Sequence, residues 1–178
     1  MQSASIEKRP RVLTVFYSHS GNTRALAKMI QQQVGGDLIE ILPVTPYSTD
    51  YNTVVNRAKR ELQTGYKPPL QTIVENIEPY DVIFVGSPNW WNTVAPPVMT
   101  FLSAYDLSGK AIAPFITHEG TGLGSSASDI AKLCPGATVL EGMAVRGGRV
   151  KAAEREVAEW LRKLGIEEQH QSSTKVQE

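Results

Sequence analysis

A chain of 178 residues, 41% hydrophobic and 20% charged, has the length and composition of one globular unit with a core of its own. Its 18 Lys and Arg balance 18 Asp and Glu, so no net field favours nucleic acid, an anionic membrane or a basic partner. The single cysteine, Cys134, excludes an intramolecular disulfide and a Cys-rich metal site, and no metal centre is expected.

The opening "MQSASIEKRP" has no apolar run resembling a signal peptide, and nothing later approaches the ~20 apolar residues of a membrane span. A cytoplasmic protein is therefore expected, with a flexible segment over residues 1–10. "RVLTVFYS" (residues 11–18) is almost wholly apolar, as in a strand covered on both faces. Leu26, Ile30 and Val34 then recur every four residues, predicting a helix stopped by Gly35-Gly36. "DLIEILPV" (37–44) reads as a second strand. Tyr51, Val54, Val55, Ala58 and Leu62 stripe a second helix ending at Gly65. The paired prolines of "YKPPLQ" predict an extended connection within the domain.

"DVIFVGSP" (81–88) is a third buried strand, and Val98, Phe101, Leu102 and Tyr105 mark a helix opened by Pro96-Pro97. "KAIAPFITH" (110–118) is a fourth strand, followed by a short helix through Ala127, Ile130, Ala131 and Cys134, where the cysteine reads as a small core residue. "ATVLEGMAV" (137–145) is a fifth strand. Val157, Trp160, Leu161 and Leu164 line a last helix, which makes Trp160 a packing residue. Five strands alternating with five helices predict an open parallel sheet with right-handed crossovers and helices on both faces. The domain is placed at 11–165; the polar, aperiodic residues 166–178 are expected to be disordered.

Ligands of such sheets bind beyond the carboxyl ends of the strands. Loops at 18–23, 88–93 and 117–124 fall there, and all are rich in Gly, Ser, Thr, Asn or Trp. In "YSHSGNTR" the first helix begins just after a tight turn, so its free amides converge on one point and attract an anion. Ser18, Ser20 and Thr23 add hydroxyl donors, and Gly21 lets the backbone curl close to a guest. Stripping water from an ion costs several kcal/mol. The helix dipole returns about 0.3–2 kcal/mol, so several charge-assisted hydrogen bonds of about 1.5–3 kcal/mol each must supply the rest. This loop can offer that many without using Lys or Arg, which suits a terminal phosphate monoester; the simpler alternative is that Ser20 or Asn22 merely caps the helix. His19 is expected to point to solvent, while Arg24 and Lys28 could add long-range attraction.

Other phosphate chemistries fail on inspection. There is no "GxxxxGK[ST]", no loop cysteine for a phosphatase, and Ser18 and Ser87 stand where a phosphoacceptor domain needs acids. "GTGLGSS" misses the third glycine of a dinucleotide fingerprint at Ser125 and follows the wrong strand.

"SHSGNT", "GSPNWWNTVAPPV" and "THEGTGLGSS", in that order, resemble the flavodoxin-like family, in particular its short-chain branch with a Pro-x-Trp-Trp loop, over about residues 11–164. The resemblance implies a three-layer sandwich with a five-stranded parallel sheet in order 2-1-3-4-5, and flavin mononucleotide (FMN) as ligand. Its phosphate would lie on Ser18, Ser20, Gly21, Asn22 and Thr23, with His19 of the same turn counted among the cofactor-binding residues. The ring would lie between Pro88, Asn89, Trp90, Trp91, Asn92 and Thr93 on one side and Thr117, His118, Glu119, Gly120, Gly122 and Gly124 on the other. Trp90 and Trp91 offer flat surfaces for stacking. Asn92 stands where the family often has Gly, at a peptide whose rotation toward a reduced ring needs a residue tolerant of positive φ. His118 is a candidate proton donor, the alternative being a solvent-facing residue that shapes the loop.

The implied function is an FMN-binding redox protein that transfers electrons through non-covalent flavin to a redox partner protein or small-molecule acceptor. One alternative is an NAD(P)H-dependent oxidoreductase acting on quinones or similar acceptors. Another is a flavodoxin-shaped binding module without redox chemistry. The balanced charge weakens the docking logic of strongly acidic carriers.

Overall fold

The computed structural model describes residues 9–166. The segments expected to be flexible at 1–10 and disordered at 166–178 lie outside the described residues, except for residues 9, 10 and 166. In chain order the elements are β1 (Val12–Phe16), α1 (Asn22–Val34), β2 (Asp37–Glu40), α2 (Tyr51–Thr64), β3 (Val82–Trp90), β4 (Thr93–Val94) and α3 (Pro96–Ala104). They continue with β5 (Ala111–His118), α4 (Ser126–Leu133), β6 (Thr138–Val139), β7 (Met143–Arg146), a 3-10 turn (Gly147–Ala152) and α5 (Glu154–Leu164). Among the described residues no helix is long and apolar enough to cross a membrane.

The sheet runs β2-β1-β3-β5-β6, with β7 also on β5, and all these pairings are parallel. This is the expected 2-1-3-4-5 order, with the outer position filled by two strands in series. Strand alternation sends Leu13, Val15, Ile83, Val85, Ile112 and Ile116 to one core, shared with Phe101, Leu102 and Ile130 of α3 and α4. Val12, Phe16, Phe84 and Phe115 face the other, under Leu26 and Ile30 of α1 and Val157, Trp160 and Leu161 of α5. Trp160 meets Phe84 edge-on at 5.6 Å and donates its Nε1–H to the Glu141 carbonyl, the packing role expected of it.

Three expected strands are changed. "ATVLEGMAV" breaks at 140–142. Leu140 donates to the Ile112 carbonyl on this edge of β5; two residues on, Pro114 faces the same edge with no N–H, so the ladder lapses until β7 resumes at Phe115. "DLIEILPV" stops pairing with β1 after Glu40. From Leu42 the backbone turns to the proline-rich connection, with bonds Val44 to Pro69 and Gln71 to Leu42 and a bridge between Pro43 and Leu70. β3 runs on to Trp90 because β4 folds back along it.

Candidate functional site

At the carboxyl end of β1, residues 18–21 make the turn and α1 starts at Asn22. Gly21 takes φ 98 at the N-cap, a left-handed conformation, and no side chain caps the helix. The capping alternative for Ser20 and Asn22 therefore fails, and the first amides of α1 stay open to a ligand. Ser18 Oγ accepts from the Gly21 N–H at 3.2 Å and braces the turn from within. Arg24 is engaged with the Glu40 carboxylate, so its charge is offset where the sequence left it available. His19 is exposed, as expected, and its ring also edges onto Trp90 at 5.6 Å with its Nε2 2.9 Å from the Ser48 carbonyl.

The second loop is a two-residue hairpin rather than an irregular segment. Asn89 pairs with Val94 and Trp90 with Thr93, leaving Trp91 (φ 53) and Asn92 (φ 69) at the tip. Positive φ at both central residues is the type I′ pattern, and it costs a bulky residue such as Trp91 about 1–2 kcal/mol. Hydrogen bonds hold it. Trp91 donates Nε1–H to the Val55 carbonyl at 3.1 Å, and the Asn92 carbonyl accepts from both the amide (2.7 Å) and the hydroxyl (2.9 Å) of Ser125. Rotation of the Asn92 peptide, which its residue type permits, would break both Ser125 bonds.

Beneath the hairpin, Trp90 packs edge-on against Tyr17 (5.5 Å) and Tyr47 (5.0 Å). Tyr47 donates to the buried Glu61 carboxylate, while the Arg57 guanidinium lies 3.8 Å over its ring and binds the Pro46 and Thr45 carbonyls. Burial first, and the Glu61 carboxylate next, push the Tyr47 phenol far above its ordinary pKa; burial does the same for Tyr17. Segment 45–47 is thus stapled to α2, and it carries the cavity wall with it.

The third loop is tied to the other two. Thr23 and Thr117 share a buried hydroxyl bond of 2.8 Å, and Asn89 donates to the Gly122 carbonyl at 2.8 Å. Gly124 lies so close to the hairpin that a Cβ there would stand 2.4 Å from the Asn92 carbonyl oxygen. His118 Nδ1 accepts from the Gly120 amide at 2.9 Å, which leaves Nε2 as the ring's donor. Thr93 turns away, donating to Asp129 of α4 at 2.5 Å.

Together these loops enclose a cavity of about 690 Å³. His19, Ser20 and Asn22 line it from the first loop; Pro88, Asn89, Trp90, Trp91 and Asn92 from the second; Thr117, His118, Glu119 and Gly120 from the third. Ser18, Gly21, Thr23, Thr93, Gly122 and Gly124 do not line it; they brace the loops that do. Sequence reasoning missed Thr49, Tyr51, Val54, Val55, Ala58 and Thr121. The loop before α2 also leaves the carboxyl end of a strand, so the rule that found the other three could have found it. The α2 residues carried no separate signal, because a stripe facing a cavity has the same period as one facing a core.

A family model described as Flavodoxin matches residues 11–164. The chain belongs to the flavodoxin family. The match runs from the start of β1 to the end of α5, so all three loops of this flavodoxin-family chain fall inside it. A candidate flavoprotein from Bacteroides eggerthii is 30% identical over 89% of this chain and 100% of its own, with a TM-score of 0.79. A flavoprotein from Lactobacillus acidophilus, solved in complex with FMN, is 26% identical over 80% of this chain and 97% of its own, with a TM-score of 0.65. No curated protein matches.

Proposed function

We propose that this flavodoxin-family protein binds FMN non-covalently in the 690 Å³ cavity and transfers electrons through it to a redox protein or a small-molecule acceptor. One observation carries the reading: the uncapped N-terminus of α1, behind a left-handed Gly21, opens beside a cavity walled by two tryptophans. The residues fit the group. Open amides and the free Ser20 hydroxyl suit a phosphate dianion, and the flat indole faces of Trp90 and Trp91 suit a conjugated ring. The complex of the Lactobacillus acidophilus relative with FMN supports the same assignment.

Bound flavin would supply reversible uptake of one or two electrons; the chain supplies orientation and surroundings. The first loop would hold the phosphate, and the Asn89–Gly122 and Asn92–Ser125 bonds keep the two ring-facing loops at fixed separation. His118, with Nδ1 occupied by Gly120, can present only an Nε2 proton to the cavity. Among the cavity-lining residues Glu119 is the sole carboxylate and there is no Lys or Arg, so little would offset charge on a reduced ring.

The absorbance spectrum of the purified protein, with flavin released by denaturation and counted, tests the reading. Bands of oxidised flavin at one FMN per chain are expected. Colourless protein that leaves the fluorescence of added FMN unquenched refutes it and favours a binding module without redox chemistry.

A further inference from the structure

Behind the cavity wall lies a buried group of ionisable side chains that flavin binding does not use. Trp90 lines the cavity, while Tyr47 and Tyr17 stand behind it and do not. Their rings meet Trp90 edge-on, with centroids 5.0 Å and 5.5 Å away. Tyr47 is 7% exposed and donates its hydroxyl to Glu61 of α2, itself 6% exposed. A carboxylate is rarely held this far from water without partners. Glu61 has two: the Tyr47 hydroxyl on Oε1, and Arg57 Nε at 3.5 Å from Oε2.

An indole against a phenol whose hydroxyl already points at a carboxylate has the parts of a one-electron donor. A phenol that loses an electron becomes a strong acid, so the electron leaves readily when the proton has an acceptor. For Tyr47 that acceptor is Glu61. Tyr17 touches Trp90 as well, but its hydroxyl has no acceptor among the described residues. The neighbouring cations sharpen the choice. Lys59 Nζ lies 5.3 Å over the Trp91 ring and opposes a positive charge on that indole, whereas the rings against Trp90 are Tyr17, Tyr47 and His19. The Arg57 guanidinium, 3.8 Å over the Tyr47 ring, opposes a cationic phenol in the same way, so electron and proton must leave Tyr47 together. With Glu61 neutralised, Arg57 still holds the Pro46 and Thr45 carbonyls and is not left bare.

We propose that Trp90, Tyr47 and Glu61 form a one-electron donor chain to photoexcited flavin, ending in a neutral tyrosyl radical at Tyr47. This rests on the FMN reading above and adds a light-driven activity to it. FMN excited by blue light is the oxidant. It takes one electron from Trp90, Trp90 takes one from Tyr47, and the Tyr47 proton passes to Glu61 Oε1. In sum the flavin ring gains one electron, Tyr47 loses one electron and one proton, and Glu61 gains the proton. Their return in the dark restores all three groups.

Transient absorption after a blue-light flash tests the chain on oxidised, FMN-loaded protein freed of unbound flavin, its flavin content counted by absorbance beforehand. A tyrosyl radical is expected beside the flavin radical, forming about twofold more slowly in D2O because a proton moves with the electron. Tyr47→Phe and Glu61→Gln should each lower the tyrosyl yield by about tenfold and leave a tryptophan radical that recombines with the flavin about tenfold sooner. Tyr17→Phe should keep the tyrosyl yield within about twofold of the parent. The isotope measurement needs no variant and carries the test if the buried substitutions do not fold. No tyrosyl radical in the parent, equal rates in H2O and D2O, a yield kept in Tyr47→Phe or Glu61→Gln, or one lost in Tyr17→Phe overturns the proposal and leaves the FMN reading standing. Failure of the parent protein to bind FMN, seen in the absorbance before any flash, removes both.

Discussion

Replacing Ser20 with Ala separates the phosphate cradle from the rest of the cavity. Ser20 is exposed, lines the cavity and makes no hydrogen bond within the described residues, so its loss should change the stability of the ligand-free protein by under about 0.5 kcal/mol. Toward a phosphate dianion it would give one charge-assisted bond of about 1.5–3 kcal/mol, which is about ten- to hundredfold in Kd. Riboflavin shares the ring and lacks the phosphate, so its affinity should stay within about twofold. Thr23→Ala should behave differently, because Thr23 is buried and bonded to Thr117. Leaving that hydroxyl without its partner should cost about 1–3 kcal/mol of stability as well as FMN affinity. Arg24→Ala is the control for a cation-based cradle; Arg24 is occupied by Glu40, so FMN affinity should hardly move. Titrating FMN and riboflavin by quenching of flavin fluorescence, at fixed ionic strength, gives all these numbers. Equal losses of both ligands in Ser20→Ala, or a large loss in Arg24→Ala, would refute an uncharged cradle at α1.

Gly124→Ala should destabilise the protein by about 2–4 kcal/mol, since its Cβ would strike the Asn92 carbonyl while the backbone sits at φ +55. A fall in Tm of roughly 5–15 °C by calorimetry checks it. Alkaline stability should depend on Tyr17 and Tyr47. Their phenols stay protonated in the fold while the unfolded chain ionises near its ordinary pKa of about 10, so the unfolded state binds fewer protons and stability declines as pH rises past that point. Each tyrosine contributes a slope of up to about 1.4 kcal/mol per pH unit. Urea melts from pH 9 to 11 should show a shallower decline for Tyr47→Phe, and parallel declines would count against the buried pair. Burial raises the Cys134 thiol pKa, so a thiol-specific disulfide reagent should react with the native protein far more slowly than with the urea-unfolded chain.

Much of the scaffold was legible because it rests on burial with a period. Val12–Phe16 is buried throughout, and the runs at 82–87 and 112–117 are buried in the same way, so short apolar stretches were sound markers of strands covered on both faces. The helices followed their stripes to within a few residues. What periodicity does not encode is the partner. Nothing in "ATVLEGMAV" announces that Pro114, on another strand, removes the donor its middle needs, and nothing in "DLIEILPV" announces that Leu42 prefers residue 71 to β1. Those strand ends are decided by tertiary pairing.

The lining of the candidate cavity was legible where chemistry accumulates in a loop and hidden where it depends on conformation or on a shared wall. Hydroxyls and glycine marked the first loop because an anion needs donors and close backbone approach wherever the chain runs. The Trp91-Asn92 tip did not announce a hairpin, because its positive φ values are the province of Asn-Gly and Gly-rich pairs; here the conformation is imposed by Val55 and Ser125 from 36 and 33 residues away. Strain supported from outside is tolerated where the placement of one side chain matters more than the comfort of its backbone. The placement in question is the Trp91 indole, which turns one face of α2 into a wall of the cavity.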